Sequence, residues 1–335
     1  MTRDVSAETD ATDPVDDATL ALLVEVAGTP KPGNVDRRRD LDDLRFEAFL
    51  GGAVGARSGL ELAAETGPTT GEPPVVGDAF DRAVAGMADR AGTNTQFGCL
   101  LLLVPLVRAA ADPDRELSPE GLDAVCRSTT VEDAIAFYRA FERVDVAVDD
   151  PPPGADDLDV RRGSDAEPAL REREMTLLDV LALSADPGDP ETPEDPERVP
   201  DRNAAEWTEG FPRTFRAAEW ILSDEGPLAD RAARAFLGLL AAEPDTLVAS
   251  TQGAETAREA SAWAREILEP DERDPKAPVG DVSAVDADAV HGADLDAAES
   301  LAEEFVAEGI NPGTTADLTC AALFVALRGG AEVAP

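Results

Sequence analysis

Two lysines, Lys31 and Lys276, are all that the 335 residues contain. Against 29 Lys+Arg stand 70 Asp+Glu, a formal net charge of −41. Such a field repels phosphate backbones and anionic lipid, so neither nucleic acid nor a membrane surface is an expected partner. Disorder is the first expectation for so charged a chain, but 43% hydrophobic residues and long apolar helical stretches supply a core. A carboxylate-rich, lysine-poor surface suits concentrated salt, where the screening length is roughly 3 Å at 1 M. The composition is therefore read as that of a halophilic cytoplasm.

Aromatics are only 4%; with Ala abundant, this favours packed helices over sheets. Cys99, Cys126 and Cys320 lie too far apart for a zinc spacing or a disulfide framework and are expected to be buried free thiols. The single histidine, His291, sits in an acidic stretch, so carboxylates must carry any proton transfer. The longest apolar run, Cys99–Val107, is about half the ~18 residues a spanning helix needs. The start, MTRDVSAETDATDPVDD, is acidic and lacks an apolar core, so no signal peptide is expected and the protein reads as soluble and cytoplasmic.

The expected architecture is all-α, a compact multi-helix bundle in which polar loops at helix ends form a central nucleotide site. Residues 1–14 read as a disordered acidic tail and 15–335 as one catalytic domain, with Pro/acidic surface loops at about 149–162, 185–202 and 270–290. Apolar spacing predicts helices over Asp17–Ala27, Leu41–Ala64, Ala79–Ala91, Pro119–Ser128, Glu132–Arg143, Asn203–Leu222, Pro227–Ala242 and Asp294–Glu308. The run after Gly98 is hydrophobic all round and should be central, with Pro105 a possible kink.

Four small polar loops each meet a buried helix: TPKPGNVD from Thr29, GTNTQFG from Gly92, EPDTLVAST from Glu243 and NPGTTAD from Asn311. Each alone is also what a helix boundary needs. Together they have the makings of a nucleotide site, with loop amides and helix N-termini facing phosphate. At these loops the chain resembles the triphosphoribosyl-dephospho-CoA synthase family. That family shows T-P-K-P-G-x-V-D followed by H-x-D-M, then G-V-N-T-H-K-G before an apolar helix, G-D-T-N-V-A-S-R-G-G, and finally S-P-G-G-S-A-D-L. Thr29–Asp36 matches the first motif throughout, and the other three match in part, in the family's order, over about residues 29–330. Arg38 stands where the family has His, with Asp40 keeping the Asp; Gln96-Phe97 replaces His-Lys. A family segment T-G-x-R-G-E-A before G-F-P is not evident ahead of Gly210-Phe211-Pro212; Asp186 or Glu206 is expected to fill part of that gap.

The resemblance implies ATP as ribosyl donor and dephospho-CoA as acceptor: the acceptor's 2′-hydroxyl attacks C1′ of ATP and adenine leaves. Such a step passes through an oxocarbenium-like state, as glycoside hydrolysis does. It needs cation for the triphosphate, carboxylate near the sugar and a base for the hydroxyl. Lys31, Gly33, Arg37 and Arg38 are the expected phosphate contacts of the first loop; Asn94, Thr95, Thr246, Ser250, Asn311 and Gly313 those of the other three. Asp36, Asp245 and Asp317 are the expected catalytic carboxylates, and Asp40 and Asp245 the expected Mg²⁺ ligands; helix capping is the competing role for Asp40. Two other readings remain open here: a Mg²⁺-dependent N-ribosyl hydrolase like the ADP-ribosylglycohydrolases, and a non-catalytic helical nucleotide-binding protein.

Overall fold

A computed structural model describes residues 12–65, 76–151, 154–185, 199–270 and 282–333. The α-helices among the described residues are α1 (Pro14–Ala27), α2 (Phe46–Ala64), α3 (Val76–Ala91), α4 (Phe97–Ala111), α5 (Pro119–Arg127), α6 (Val131–Ala140), α7 (Glu167–Glu172), α8 (Leu177–Ala185), α9 (Arg202–Glu209), α10 (Pro212–Ser223), α11 (Leu228–Ala242), α12 (Thr246–Gln252), α13 (Ala254–Leu268), α14 (Ala287–His291), α15 (Leu295–Glu308) and α16 (Gly313–Arg328). Among the described residues there is no strand, only one isolated bridge between Asp36 and Arg39. The expected all-α class is borne out.

Several expected boundaries move, each for a local reason. Helix α1 starts earlier than predicted because Asp13 Oδ1 accepts the Val15 N–H at 2.8 Å and Pro14 takes the first helical turn. Helix α2 starts later: Leu41 and Leu44 close a turn, and Asp40 Oδ1 accepts the Phe46 N–H at 2.8 Å. The stretch read as one helix over Asn203–Leu222 is two, because Gly210 and Phe211 both take left-handed conformations. Buried Glu206 accepts the N–H groups of Arg213 (3.1 Å) and Thr214 (2.9 Å), satisfying the start of the second helix. Gly253, at φ 95°, likewise separates α12 from α13. Parts of two expected loops are helical: 3-10 turns at Asp156–Leu158 and Val160–Ala166 in the first, a 3-10 turn at Val282–Ala284 and α14 in the third. Residues 186–198 of the second loop and 271–281 of the third lie outside the described residues, as does most of the expected tail.

Helices α4 and α16 form the centre, as their sequences require. Leu100, Leu102, Leu103, Leu106 and Val107 of α4 and Cys320–Phe324 of α16 are fully buried; Pro105 lies within α4. Beside them α2 and α3 pack through glycines: a Cβ on Gly55 or Gly86 would come within 2.0 or 2.1 Å of the other's carbonyl oxygen. All three cysteines are buried and free. No described helix is long and apolar enough to cross a membrane. One consequence matters most for function. The N-terminal ends of α4, α9, α12 and α16 meet the C-terminal end of α1 around a single cavity.

Candidate active site

The cavity measures about 320 Å³ and has two kinds of wall. One is polar, formed by Glu25, Asn34, Asn94, Thr95, Asn203, Thr246, Ser250, Asn311 and Asp317. The other is apolar, built from Phe97, Phe137 and Phe141 together with Leu101, Val146, Leu158, Val180 and Leu181. The three rings form one cluster, with centroids 4.9 Å (Phe97–Phe141) and 5.2 Å (Phe137–Phe141) apart. Phe97, which replaces the family's Lys, is thus part of an aromatic wall. Its neighbour Gln96 is buried, turns away from the cavity and donates to the Leu22 carbonyl at 3.3 Å.

Asp317 stands one turn into α16, at the cavity wall. Asn203 Nδ2 donates to its Oδ2 at 2.8 Å, and the Cys99 thiol donates to its Oδ1 at 3.1 Å. Burial pushes this carboxyl from 3.8 up to about 7, against those two hydrogen bonds, and the nearby Glu25 charge adds to the rise. Cys99 is itself held well above the ordinary thiol range by its hydrogen bond with Cys320 and by burial, so it stays a protonated donor. Space beside the carboxylate exists because residue 98 is glycine: a Cβ there would sit 1.9 Å from Asp317 Oδ2. The Asp317 carboxyl is therefore fixed in orientation and titrates near neutrality, which fits a general base.

Two polar atoms of the wall, Asn203 Oδ1 and Thr95 Oγ1, are buried without a hydrogen-bond partner. An unmet buried polar group costs about 1–3 kcal/mol, and Thr95 Oγ1 lies against Gly52 of α2, where a Cβ would come within 2.4 Å of it. Six carboxylates line the cavity (Glu25, Asp149, Asp150, Asp159, Asp201 and Asp317), and among the described residues no Lys or Arg does. Arg161 holds Asp150 and Asp159, each at 2.7 Å. Asp201 caps α9.

The expected site residues divide sharply. Asn94, Thr95, Thr246, Ser250, Asn311, Gly313 and Asp317 line the cavity. Asn94 also caps α4, its Oδ1 accepting the Phe97 N–H at 3.2 Å. Thr246 accepts the Arg202 N–H at 3.0 Å, tying α12 to α9. The first loop behaves differently from expectation. Lys31 is buried beneath the cavity floor, with its ammonium on Glu25 and on Asn34 Oδ1 (3.2 Å). Arg37 and Arg38 are exposed and outside the cavity lining; Arg38 reaches Glu299 at 3.4 Å. Gly33, at φ 72°, is needed for close approach: a Cβ there would meet the Ile310 carbonyl oxygen at 1.8 Å. None of these four expected phosphate contacts lines the cavity.

Three of the expected carboxylates also stand outside the cavity lining, with their oxygens engaged in local hydrogen bonds. Asp36 accepts from the Thr29 hydroxyl (2.8 Å), the N–H groups of Arg38 (2.7 Å) and Arg39 (2.9 Å) and the Arg39 guanidinium (2.9 Å), so it organises its own turn. Asp245 accepts the Val248 N–H (3.1 Å) and both the N–H and hydroxyl of Thr315 (2.7 Å each), joining α12 to α16 outside the cavity lining. Asp40 is exposed and caps α2. Neither expected metal ligand faces the cavity, and no group of three acidic, His or Cys side chains among the described residues converges on a metal position. Glu206 is spent on the Arg213–Thr214 turn, and Asp186 lies outside the described residues. His291 lies away from the cavity, its Nε2 at 3.1 Å from the Trp220 carbonyl oxygen.

Sequence reasoning missed Glu25, Asn203 and the aromatic wall. Glu25 carried a legible signal: it falls on the stripe of Ala18, Ala21 and Leu22, all fully buried, at helical spacing. Asn203 carried none, since its partner lies 114 residues away.

No curated protein matches the chain. Among solved structures, a crystal structure of a "putative triphosphoribosyl-dephospho-coA synthase" from Archaeoglobus fulgidus superposes with a TM-score of 0.57 at 23% identity, over 84% of this chain and 100% of that one. At that identity the likeness speaks for the fold. The model of the ATP:dephospho-CoA triphosphoribosyl transferase family matches residues 11–334, which is nearly the whole chain and includes every wall of the cavity. The chain belongs to that family of transferases.

Proposed function

We propose that the cavity transfers the 5-triphosphoribosyl group of ATP to the 2′-hydroxyl of 3′-dephospho-CoA, with release of adenine. The observation that carries this reading is Asp317, a clamped carboxyl titrating at about 7 in the wall of a cavity ringed by helix N-termini. In the reaction the C1′–N9 bond of ATP breaks and its electron pair leaves with adenine. The acceptor oxygen forms the new bond to C1′, and Asp317 takes the hydroxyl proton and returns it to the departing base. A group with a pKa near the working pH serves both halves of that transfer. The aromatic wall of Phe97, Phe137 and Phe141 offers flat apolar surface to the adenine ring.

The first loop's cations stand outside the cavity lining. Helix N-termini supply part of the needed positive potential. Mg²⁺ fits the remainder as an ion carried in on the phosphates, since Mg²⁺ ordinarily takes one or two protein carboxylates plus phosphate oxygens. Asp149, exposed and without a cationic partner among the described residues, is the lining carboxylate free to hold it. The surface charge fits a cytoplasm rich in salt.

The test is Asp317→Asn in molar KCl with Mg²⁺. We expect ATP binding within about threefold of wild type and adenine release down by at least about a hundredfold, the range typical for loss of a general base. Unchanged adenine release would remove Asp317 from the reaction.

A further inference from the structure

The floor of the cavity holds an ion pair that the reading above leaves unused. Glu25, in the last turn of α1, lines the cavity yet is only 2% exposed; Lys31, beneath it, is 1% exposed. The Lys31 ammonium donates to Glu25 Oε1 and, at 3.2 Å, to Asn34 Oδ1. Asn34 in turn donates to Asn311 Oδ1 at 3.0 Å, fixing the pair against the loop ahead of α16. The turn that brings Lys31 back under α1 is organised by Asp36. In a chain with two lysines, one is thus placed, fully desolvated, against one cavity-facing carboxylate. A buried ion pair is weak support for stability, because an apolar pair of the same size does as well or better.

We propose that Glu25 is a catalytic carboxylate of the transfer, facing the positive charge that develops at C1′ of the donor ribose, and that Lys31 is the positioning residue that holds it there. This rests on the cavity being a ribosyl-transfer site. As the C1′–N9 bond stretches ahead of the new C1′–O bond, charge builds on C1′ and the ring oxygen. A fixed carboxylate in a dry wall stabilises that charge more than it stabilises neutral ribose, which is the condition for lowering the barrier. Glu25 exchanges no proton and forms no bond. The two cavity carboxylates then divide the work by their surroundings: Glu25 has an ammonium partner and Asp317 has none. Burial pushes the Glu25 carboxyl up, and Lys31 pulls it partway back towards the ionised form.

The test compares Glu25→Gln, Lys31→Met and the double variant with the whole wild-type chain. Either single change strands a buried charge, whereas the double removes both and keeps the volume. We expect the double variant to unfold within a few degrees of wild type and to bind ATP within about threefold. Its kcat for acceptor-dependent adenine release should fall by about 10²–10³, as for lost electrostatic stabilisation. Recovery of kcat to within tenfold of wild type in the folded double would show a merely structural pair and overturn the proposal. A loss confined to ATP affinity would also overturn it. Should the double not fold, Glu25→Asp keeps the ion pair but withdraws the carboxylate: kcat should drop about tenfold at constant KM for ATP, and an unchanged kcat refutes the proposal. Lys31→Met should move the acidic limb of the kcat profile to higher pH, because Glu25 loses the charge that favours its ionised form; an unmoved limb contradicts the positioning role. A wild type that releases no adenine from ATP and dephospho-CoA would instead bring down the underlying reading, and this proposal with it.

Discussion

Replacing Asp317 with Asn should stabilise the protein above neutral pH while stopping its chemistry. In the folded chain burial carries this carboxyl up to about 7; unfolded, it titrates at about 3.9. Between those values the folded state holds a proton that the unfolded state has released, so stability falls as pH rises, by about 1.4 kcal/mol per unit. The contribution is complete below about pH 4 and gone above about pH 7. From about pH 5.5 to about pH 8.5 the wild type crosses about 1.5 units of that window and loses about 2 kcal/mol relative to Asp317→Asn, which has no titrating group there. In a chain of this length that is about 3 °C in Tm. The amide should fit, since Asn203 can turn its unpartnered Oδ1 to accept from it. Thermal unfolding by circular dichroism in molar KCl, at both pH values, measures the difference. A variant less stable than wild type at both, or a gap that does not change with pH, would refute the placement of this carboxyl in a desolvating wall. Gain in stability with loss of function is expected where a site holds an unfavourably buried group.

The same geometry fixes three further outcomes. Wild-type kcat/KM should rise with pH to a plateau above about 7, and Cys99→Ala, which removes a donor to the charged form of Asp317, should shift that rise to higher pH in a pH–rate profile. Phe141→Ala should raise KM for ATP by about tenfold, the effect of losing one ring from a base-stacking wall, and should lower Tm by a few degrees through its lost contacts with Phe97 and Phe137, in steady-state and unfolding assays. Asp245→Ala should cost about 3 kcal/mol in denaturant unfolding, because the Val248 and Thr315 N–H groups and the Thr315 hydroxyl lose their acceptor. Full stability of that variant with no activity would return Asp245 to the chemistry.

Much of the fold was legible because the pattern is local. The all-round apolar run of α4 demanded a central position, and it has one. The four polar loops together suggest one site, and seven of the residues expected from them line one cavity. The Gly210-Phe211-Pro212 break was written in the sequence as a helix stop followed by a helix start, but apolar spacing ran through it and suggested one helix. What could not be read was direction. Lys31, Asp36 and Asp245 sit in matching motifs, yet whether a side chain faces the cavity or braces the wall depends on partners such as Glu25 and Thr315 that only the packed chain supplies. A rare lysine in an acidic chain suggests a phosphate contact; in the folded chain its ammonium is buried on a carboxylate.

The decisive measurement is adenine release by purified protein given ATP and Mg²⁺ in molar KCl, with and without dephospho-CoA, read by chromatography with mass detection of the acceptor. The reading predicts adenine only when dephospho-CoA is present, in equal amount to an acceptor heavier by one triphosphoribosyl group. Adenine formed without acceptor would show a hydrolase instead, and no adenine in either case would contradict transfer to this acceptor.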